Sequence, residues 1–271
     1  MRNSRFPSFS PTSATSNTDM EKAGSGRIKS FRLLLHRLKE ERLIVAEGPK
    51  IYREALGAGL SPRVLLVTEE YLERGERLPY REKGLLVTPA QMSSLSLLEA
   101  PPGLMALFPF LSPPQPSRPE TVLALERVQD PGNLGTLFRN ALLFGVAQIL
   151  LSPGCASPYN PKVIRSSMGS LFSIPFLEDV NLSVKLSSLQ KSGYTLYLTS
   201  PRGGARTDRV RFQRPLVIVL GNEGHGLEET LSALPHTRVT VPTTGRTDSL
   251  GVATAGAILM AQAYSAGLDS V

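Results

Sequence analysis

The residues able to do chemistry in this chain stand where apolar runs break into polar turns. Thr121 to Leu125 reads as a short buried strand, Asp130-Pro131-Gly132-Asn133 carries turn chemistry, and Leu134, Leu137, Phe138, Ala141 and Leu142 recur at helical spacing. Such a loop lies at the carboxyl end of a strand, where open α/β sheets bind ligands. Packing requires neither Asn133 nor Arg139 there. Two readings of the pair stand side by side. In the first, Asn133 caps the helix and Arg139 is a solvated charge. In the second, Arg139 is a fixed cation placed to stabilise negative charge and Asn133 holds it, or a ligand, by hydrogen bonds.

Two later junctions have the same form. Leu216 to Leu220 runs into Gly221-Asn222-Glu223-Gly224-His225-Gly226-Leu227, and Val239 to Val241 into Pro242-Thr243-Thr244-Gly245-Arg246-Thr247-Asp248-Ser249-Leu250-Gly251-Val252-Ala253 and a long apolar helix reaching about Ala266. Gly221, Gly224 and Gly226 let backbone approach a ligand closely, and Glu223 is placed to bind a polar group. Other chemistries lack their residues. His36, His225 and His236 with one cysteine make no zinc spacing, so no metal is expected. The chain has no phosphate-binding Gly-x-x-x-x-Gly-Lys-Ser/Thr loop and no nucleophile elbow, and its G-x-x-G-x-G spacing is not the dinucleotide fingerprint.

The three junctions together resemble the signature motifs of the SpoU (TrmH-like) RNA ribose 2′-O-methyltransferases of the SPOUT class. Ser167-Met168-Gly169-Ser170-Leu171-Phe172 and Pro175 resemble the family's segment between motifs one and two, and residues from about Ser30 to Phe108 resemble its small substrate-binding domain. The resemblance implies a deeply knotted α/β domain with a mostly parallel sheet and helices on both faces, a homodimer, and S-adenosylmethionine as cofactor. It implies methylation of a ribose in structured RNA, with ribosomal RNA of the 23S type favoured over transfer RNA. It also implies a catalytic set of Asn133, Arg139, Glu223 and Ser249, and a cofactor set of Leu220, Gly221, Glu223, Gly224, Gly226, Val241, Pro242 and Leu250. Gly221, Val241 and Leu250 would supply backbone contacts to the adenosine part. A guanidinium is a poor base, with a pKa above roughly 12, so an orienting and electrostatic role for Arg139 is expected.

One departure stands out. The third motif of the family reads Ser-Leu-Asn-Val-Ser, whereas this chain has Ser249-Leu250-Gly251-Val252-Ala253 and lacks both the amide and the last hydroxyl. A non-catalytic RNA-binding or ribosome-assembly factor on the same fold is therefore the alternative reading.

The elements that must position these residues follow from length and pattern. At 271 residues the chain has room for two modest domains. With 41% hydrophobic and 20% charged residues it has a globular composition. No apolar run approaches the roughly 20 residues of a membrane helix. Its single cysteine, Cys155, fits a reducing compartment, and a cytoplasmic protein is expected. A net charge of +7 favours a polyanionic partner. Residues 1–26, rich in Ser, Thr, Asn and Pro, are read as a disordered extension; Arg2 and Arg5 hint at a transit peptide, which Pro7 and Pro11 interrupt.

From Arg27 to Arg42 an amphipathic helix is expected, its cations being either a solvated face or an RNA-facing patch with Arg32, Arg37 and Arg42. Short strands at Leu43 to Ala46, Val64 to Thr68 and Leu85 to Val87, a helix opening at Pro49 and another over Gln91 to Glu99 complete a small α/β domain over 27–108. Pro109 to Pro119 reads as a semi-rigid linker. The methyltransferase domain then spans 120–271, with strands at Thr121 to Leu125, Gln148 to Leu151, Thr195 to Thr199, Leu216 to Leu220 and Val239 to Val241. An arginine-rich loop, Pro201 to Arg214, is either a solvated excursion or a phosphate contact, with Arg206 as the RNA candidate.

Overall fold

The computed structural model describes residues 20–110, 113–222, 224, 226–246 and 250–268. The chain divides into two compact units between Phe110 and Leu111.

The first unit runs β1 (Glu21–Lys22), α1 (Ser25–Leu35), β2 (Leu43–Glu47), α2 (Pro49–Gly57), β3 (Val64–Val67), α3 (Glu69–Glu73), β4 (Gly84–Leu86), α4 (Pro89–Leu95) and β5 (Leu104–Pro109). Its sheet has the order β1-β4-β3-β5-β2, and β5 is antiparallel to both neighbours. Ile28, Phe31 and Leu34 recur at helical spacing and bury one face of α1 in the core. Pro49 opens α2 after Gly48, whose φ of 89° suits glycine. A reciprocal Thr88–Gln91 capping box opens α4.

Four expectations for this unit are corrected. Residues 1–19 lie outside the described residues, but 20–26 are ordered: Glu21 and Lys22 pair with β4, and Ala23 donates to Leu86 O at 2.8 Å. Composition averages over a segment and does not register backbone docking at a sheet edge. The first helix ends at Leu35, because the chain turns through a left-handed Arg42 (φ 50°) so that Leu43 can enter β2. The fourth helix ends at Leu95, not Glu99. The central strand β5 was not expected: Leu104 to Phe108 is a continuous apolar run without periodicity, and such a run is ambiguous between helix and strand.

The second unit runs β6 (Thr121–Leu125), α5 (Pro131–Leu143), β7 (Gln148–Leu151), α6 (Pro161–Ser166), β8 (Phe176–Leu177), α7 (Leu182–Lys191), β9 (Thr195–Thr199), β10 (Ala205–Arg206), β11 (Leu216–Leu220), α8 (Glu229–Ser232), β12 (Thr237–Thr240) and α9 (Val252–Leu268). The seven strands are ordered β10-β12-β9-β11-β6-β7-β8 and all pair in parallel. A parallel sheet covered on both faces needs unbroken apolar strands, and β6 and β11 are buried at every position. On one face Val122, Leu196, Leu198, Val217 and Val219 pack against Leu182, Leu186 and Leu231 of α7 and α8. On the other, α9 lies so close that a Cβ on Gly256 would stand 2.5 Å from Leu137 Cδ2 and 2.8 Å from Leu220 Cδ1. The two-residue strands β8 and β10 were not expected, and β12 begins two residues earlier than its apolar pattern indicates.

The segment read as a linker is shorter than 109–119. Pro109 closes β5, and Phe110, 2% exposed, donates its N–H to Arg42 O. At the other end Gln115 donates to Phe176 O at 3.1 Å and accepts from the buried Gln148 Nε2 at 2.7 Å, while Tyr194 OH donates to Pro119 O at 2.7 Å. A fragment beginning at Glu120 strands the Gln148 amide, which costs roughly 1–3 kcal/mol. Urea unfolding should find it less stable by that amount than a fragment beginning at Pro113; equal midpoints and slopes would refute the assignment.

Candidate active site

The loops after β9, β11 and β12, with the start of α9, enclose a cavity of about 480 Å³ at the carboxyl ends of the strands. This lies within the range of about 300–1,000 Å³ typical of small-molecule sites. Leu198, Leu220, Leu227, Val239, Leu250 and Leu259 give it apolar walls, Thr199, Ser200 and Thr243 offer polar groups, and Arg238 brings a charge.

The loop after β11 is built from its own backbone. Asn222 and Gly226 exchange both backbone hydrogen bonds, at 3.1 and 2.9 Å, in an isolated antiparallel bridge. The Asn222 side chain accepts from Gly224 N at 2.9 Å and donates to Arg127 O at 2.8 Å. A Cβ at Gly221 would lie 2.6 Å from Gly226 C and 2.8 Å from Leu227 N, both backbone atoms, so no side chain fits there. Gly226 adopts a φ of 69°, while Gly224 faces only Asn222 Oδ1 at 3.5 Å. Two of the three glycines are thus demanded by the loop itself.

Beneath this loop lies a cluster that sequence reasoning missed. Glu126 is 3% exposed and accepts the Glu228 N–H on Oε2 at 3.0 Å. Arg127, left-handed at φ 48°, places Nη1 2.9 Å from Glu228 Oε1 and Nη2 3.7 Å from Glu126 Oε1. Burial raises the Glu126 pKa, and the Glu228 N–H and Arg127 partly oppose that shift. The available signal was an acid directly following four apolar strand residues.

Leu220, Gly221, Gly224, Gly226, Val241 and Leu250 all line the cavity; Pro242 stands between two lining residues without lining it. Glu223 and Ser249 lie outside the described residues. Asn133 and Arg139 sit on α5 and do not line the cavity. Asn133 is not the cap of α5. That role belongs to Asp130, whose Oδ1 accepts the Asn133 N–H at 2.7 Å, a bond that lowers the Asp130 pKa, helped by Lys162. Arg139 is exposed and has no side-chain hydrogen bond or ion pair among the described residues.

Arg32, Arg37 and Arg42 are exposed in the first unit; Arg32 donates to Ser94 Oγ at 3.1 Å and Arg37 pairs with Glu41 at 3.4 Å. Arg206 is held in a two-bond pair with Asp208, at 3.1 and 2.8 Å. Its loop is tied to the sheet, since Tyr197 OH donates to Arg211 O and accepts from Gln213 N. Among the described residues no group of three His, Cys, Asp or Glu side chains could hold a metal, and no helix is long and apolar enough to cross a membrane.

Residues 120–261 match the SpoU rRNA methylase family. The chain belongs to that family and is an RNA methyltransferase of the SpoU type. It is 30% identical over 248 residues to the 23S rRNA (guanosine(2553)-2′-O)-methyltransferase RlmP of Bacillus subtilis, covering 89% of this chain and 97% of that protein. A protein assigned to the TrmH family of RNA methyltransferases from Porphyromonas gingivalis superposes with a TM-score of 0.76 at 30% identity, over 89% of this chain and 98% of that one. The AdoMet-bound rRNA methyltransferase of Sinorhizobium meliloti gives 0.78 at 27% identity, over 92% and 98%. The SPOUT-type α/β fold expected from the sequence is the one found.

Two outcomes follow from this geometry. Gly221→Ala forces backbone apart and should destabilise the protein by about 1–3 kcal/mol, read by urea unfolding; an unchanged midpoint would mean the approach is looser than described. Because burial raises the Glu126 pKa, its carboxyl favours folding below the unfolded-state value, and that contribution is lost as pH rises through the folded value. Glu126→Gln never ionises. Its stability should therefore gain on wild type as pH rises through that window, and parallel melting curves at every pH would contradict the shift.

Proposed function

We propose that the protein methylates a ribose 2′-hydroxyl in large-subunit ribosomal RNA, using S-adenosylmethionine, as a homodimer in the cytoplasm and without a metal. The observation that carries the reading is the cavity, which draws six of the eight expected cofactor residues together at the ends of the parallel strands. Its apolar walls suit a nucleoside base. When bound, S-adenosylmethionine supplies an electrophilic methyl group on a sulfonium.

The chain must orient the ribose hydroxyl in line with that methyl and stabilise the charge growing on its oxygen as the O–C bond forms, the S–C bond breaks with its electron pair left on the thioether sulfur, and the hydroxyl proton leaves to solvent. Arg139 is the cation assigned to that charge, and orienting roles are assigned to Asn133, Glu223 and Ser249. In the first unit Arg32, Arg37 and Arg42 take phosphates. Arg206 contributes less, because Asp208 already satisfies its fork.

Support for a homodimer comes from apolar surface on α5 and α9: Leu142, Leu143 and Tyr264 are 45%, 69% and 41% exposed, and Phe144 beside them stacks obliquely on Tyr264. The alternative, a binding factor without activity, draws on Gly251 and Ala253. Among the described residues nothing lies within 4 Å of a Cβ built on Gly251, which leaves room there for Gly251→Asn. It should leave activity equal or higher if the departure is tolerated, and create activity if wild type has none.

Arg139→Ala should slow single-turnover methyl transfer roughly a hundredfold or more with cofactor affinity nearly unchanged. Arg139→Lys should rescue little, since a point charge does not reproduce the guanidinium fork. A wild-type rate for Arg139→Ala would remove the assignment, and no transfer by wild type to any ribosomal RNA fragment would favour the binding factor. Sedimentation should show a dimer that Leu143→Glu converts to monomer; a monomeric wild type would refute the dimer.

A further inference from the structure

We infer that Glu126 is a positioning residue for cofactor binding: its buried carboxyl group fixes residues 226–228, of which Gly226 and Leu227 line the cavity, by taking the Glu228 N–H. The inference rests on the reading that this cavity takes S-adenosylmethionine. Glu126 does not line the cavity, so it acts through the loop.

Among the described residues, the end of β6 is joined both to the entry and to the exit of the loop after β11. Glu126 N–H donates to Leu220 O at 2.9 Å, and Asn222 Nδ2 donates to Arg127 O at 2.8 Å. Glu228 N–H donates to Glu126 Oε2 at 3.0 Å, and Arg127 Nη1 lies 2.9 Å from Glu228 Oε1. The first two secure the entry of the loop, and the last two its exit. At the exit, the Arg127–Glu228 pair joins half-exposed side chains, a kind of contact that water and salt weaken. The bond to Glu126 is part-buried, with its acceptor on a side chain only 3% exposed, so water and salt reach it less and it is the stronger hold.

What this hold fixes is Leu227, a cavity wall residue directly before Glu228. The same stretch must press against Gly221, where a Cβ would stand 2.8 Å from Leu227 N. Releasing Glu228 lets residues 226–228 lift away from Gly221 and opens the wall against which the nucleoside packs. A buried carboxylate is costly to desolvate, and an apolar residue at the end of β6 would pack without that cost. The acid is retained where its one backbone partner belongs to the cofactor loop.

The test separates acceptor from volume in the full-length protein. Glu126→Gln keeps an oxygen for the Glu228 N–H; Glu126→Met keeps the volume and removes the acceptor. Two readouts apply: calorimetric affinity for S-adenosylhomocysteine, and hydrogen exchange of peptides spanning 222–228 in the ligand-free protein. We expect Glu126→Met to weaken binding tenfold or more and to speed exchange in that segment alone, with a melting temperature no lower than that of Glu126→Gln. Glu126→Gln should stay within about threefold of wild type in both readouts. Wild-type binding and exchange in Glu126→Met would overturn the inference. So would equal losses in both variants, because the retained acceptor would then have rescued nothing. If wild type itself binds no S-adenosylhomocysteine, the cofactor reading falls, and with it the role in cofactor binding, whatever exchange shows of the loop.

Discussion

No side chain can stand at residue 221, because the backbone of Gly226 and Leu227 already occupies the space a Cβ would need. The rest of the second unit can be understood as the means of holding that approach. Strand β11 lies between β6 and β9, so the loop leaving its end is flanked by the α5 junction on one side and by the β9 and β12 loops on the other. Parallel pairing puts all these loops at the same edge of the sheet, and the right-handed crossovers of a parallel sheet carry the helices back over its faces. The cavity is the space left when those loops meet above buried strands. Among the described residues its walls carry one charged side chain, Arg238.

How much of this was legible in the sequence depended on how local each signal was. Strands β6, β7, β9 and β11 were readable because a strand buried on both faces must be apolar without a break, and turn residues bound each run. Strand β5 meets the same physical demand, yet it precedes a proline-rich stretch and has no flanking periodicity to distinguish it. The six cavity residues were found through motif resemblance. Their wall positions could not have come from composition, since strand order decides which loops meet. Glu126 was invisible for the same reason: its significance comes from the Glu228 N–H, 102 positions away in sequence.

Net charge was a coarse guide to the RNA-facing surface. Several cations counted in the +7 are engaged within the protein, as Arg206 is by Asp208, Arg37 by Glu41 and Arg214 by Glu120. These pairs are exposed and individually weak, typically about 0–1 kcal/mol, so a phosphate can compete for the arginine when it arrives. The cost of exchanging one partner for another still lowers what each contributes. Arg139, with no such partner among the described residues, carries no such cost. Arg139 stands on α5 nine residues, about two and a half turns, past the Asp130 cap.

The departure in the third motif can be weighed in the same terms. Among the described residues nothing stands within 4 Å of a Cβ at Gly251, and none of them bars an asparagine there. Ala253 is buried in the first turn of α9, where alanine is the best helix former and a serine hydroxyl would need a partner. Both substitutions suit the scaffold and remove polar groups from the edge of the site. If those groups served mainly to organise the loop before α9, the close seating of α9 at Gly256 against Leu137 and Leu220 already supplies much of that order.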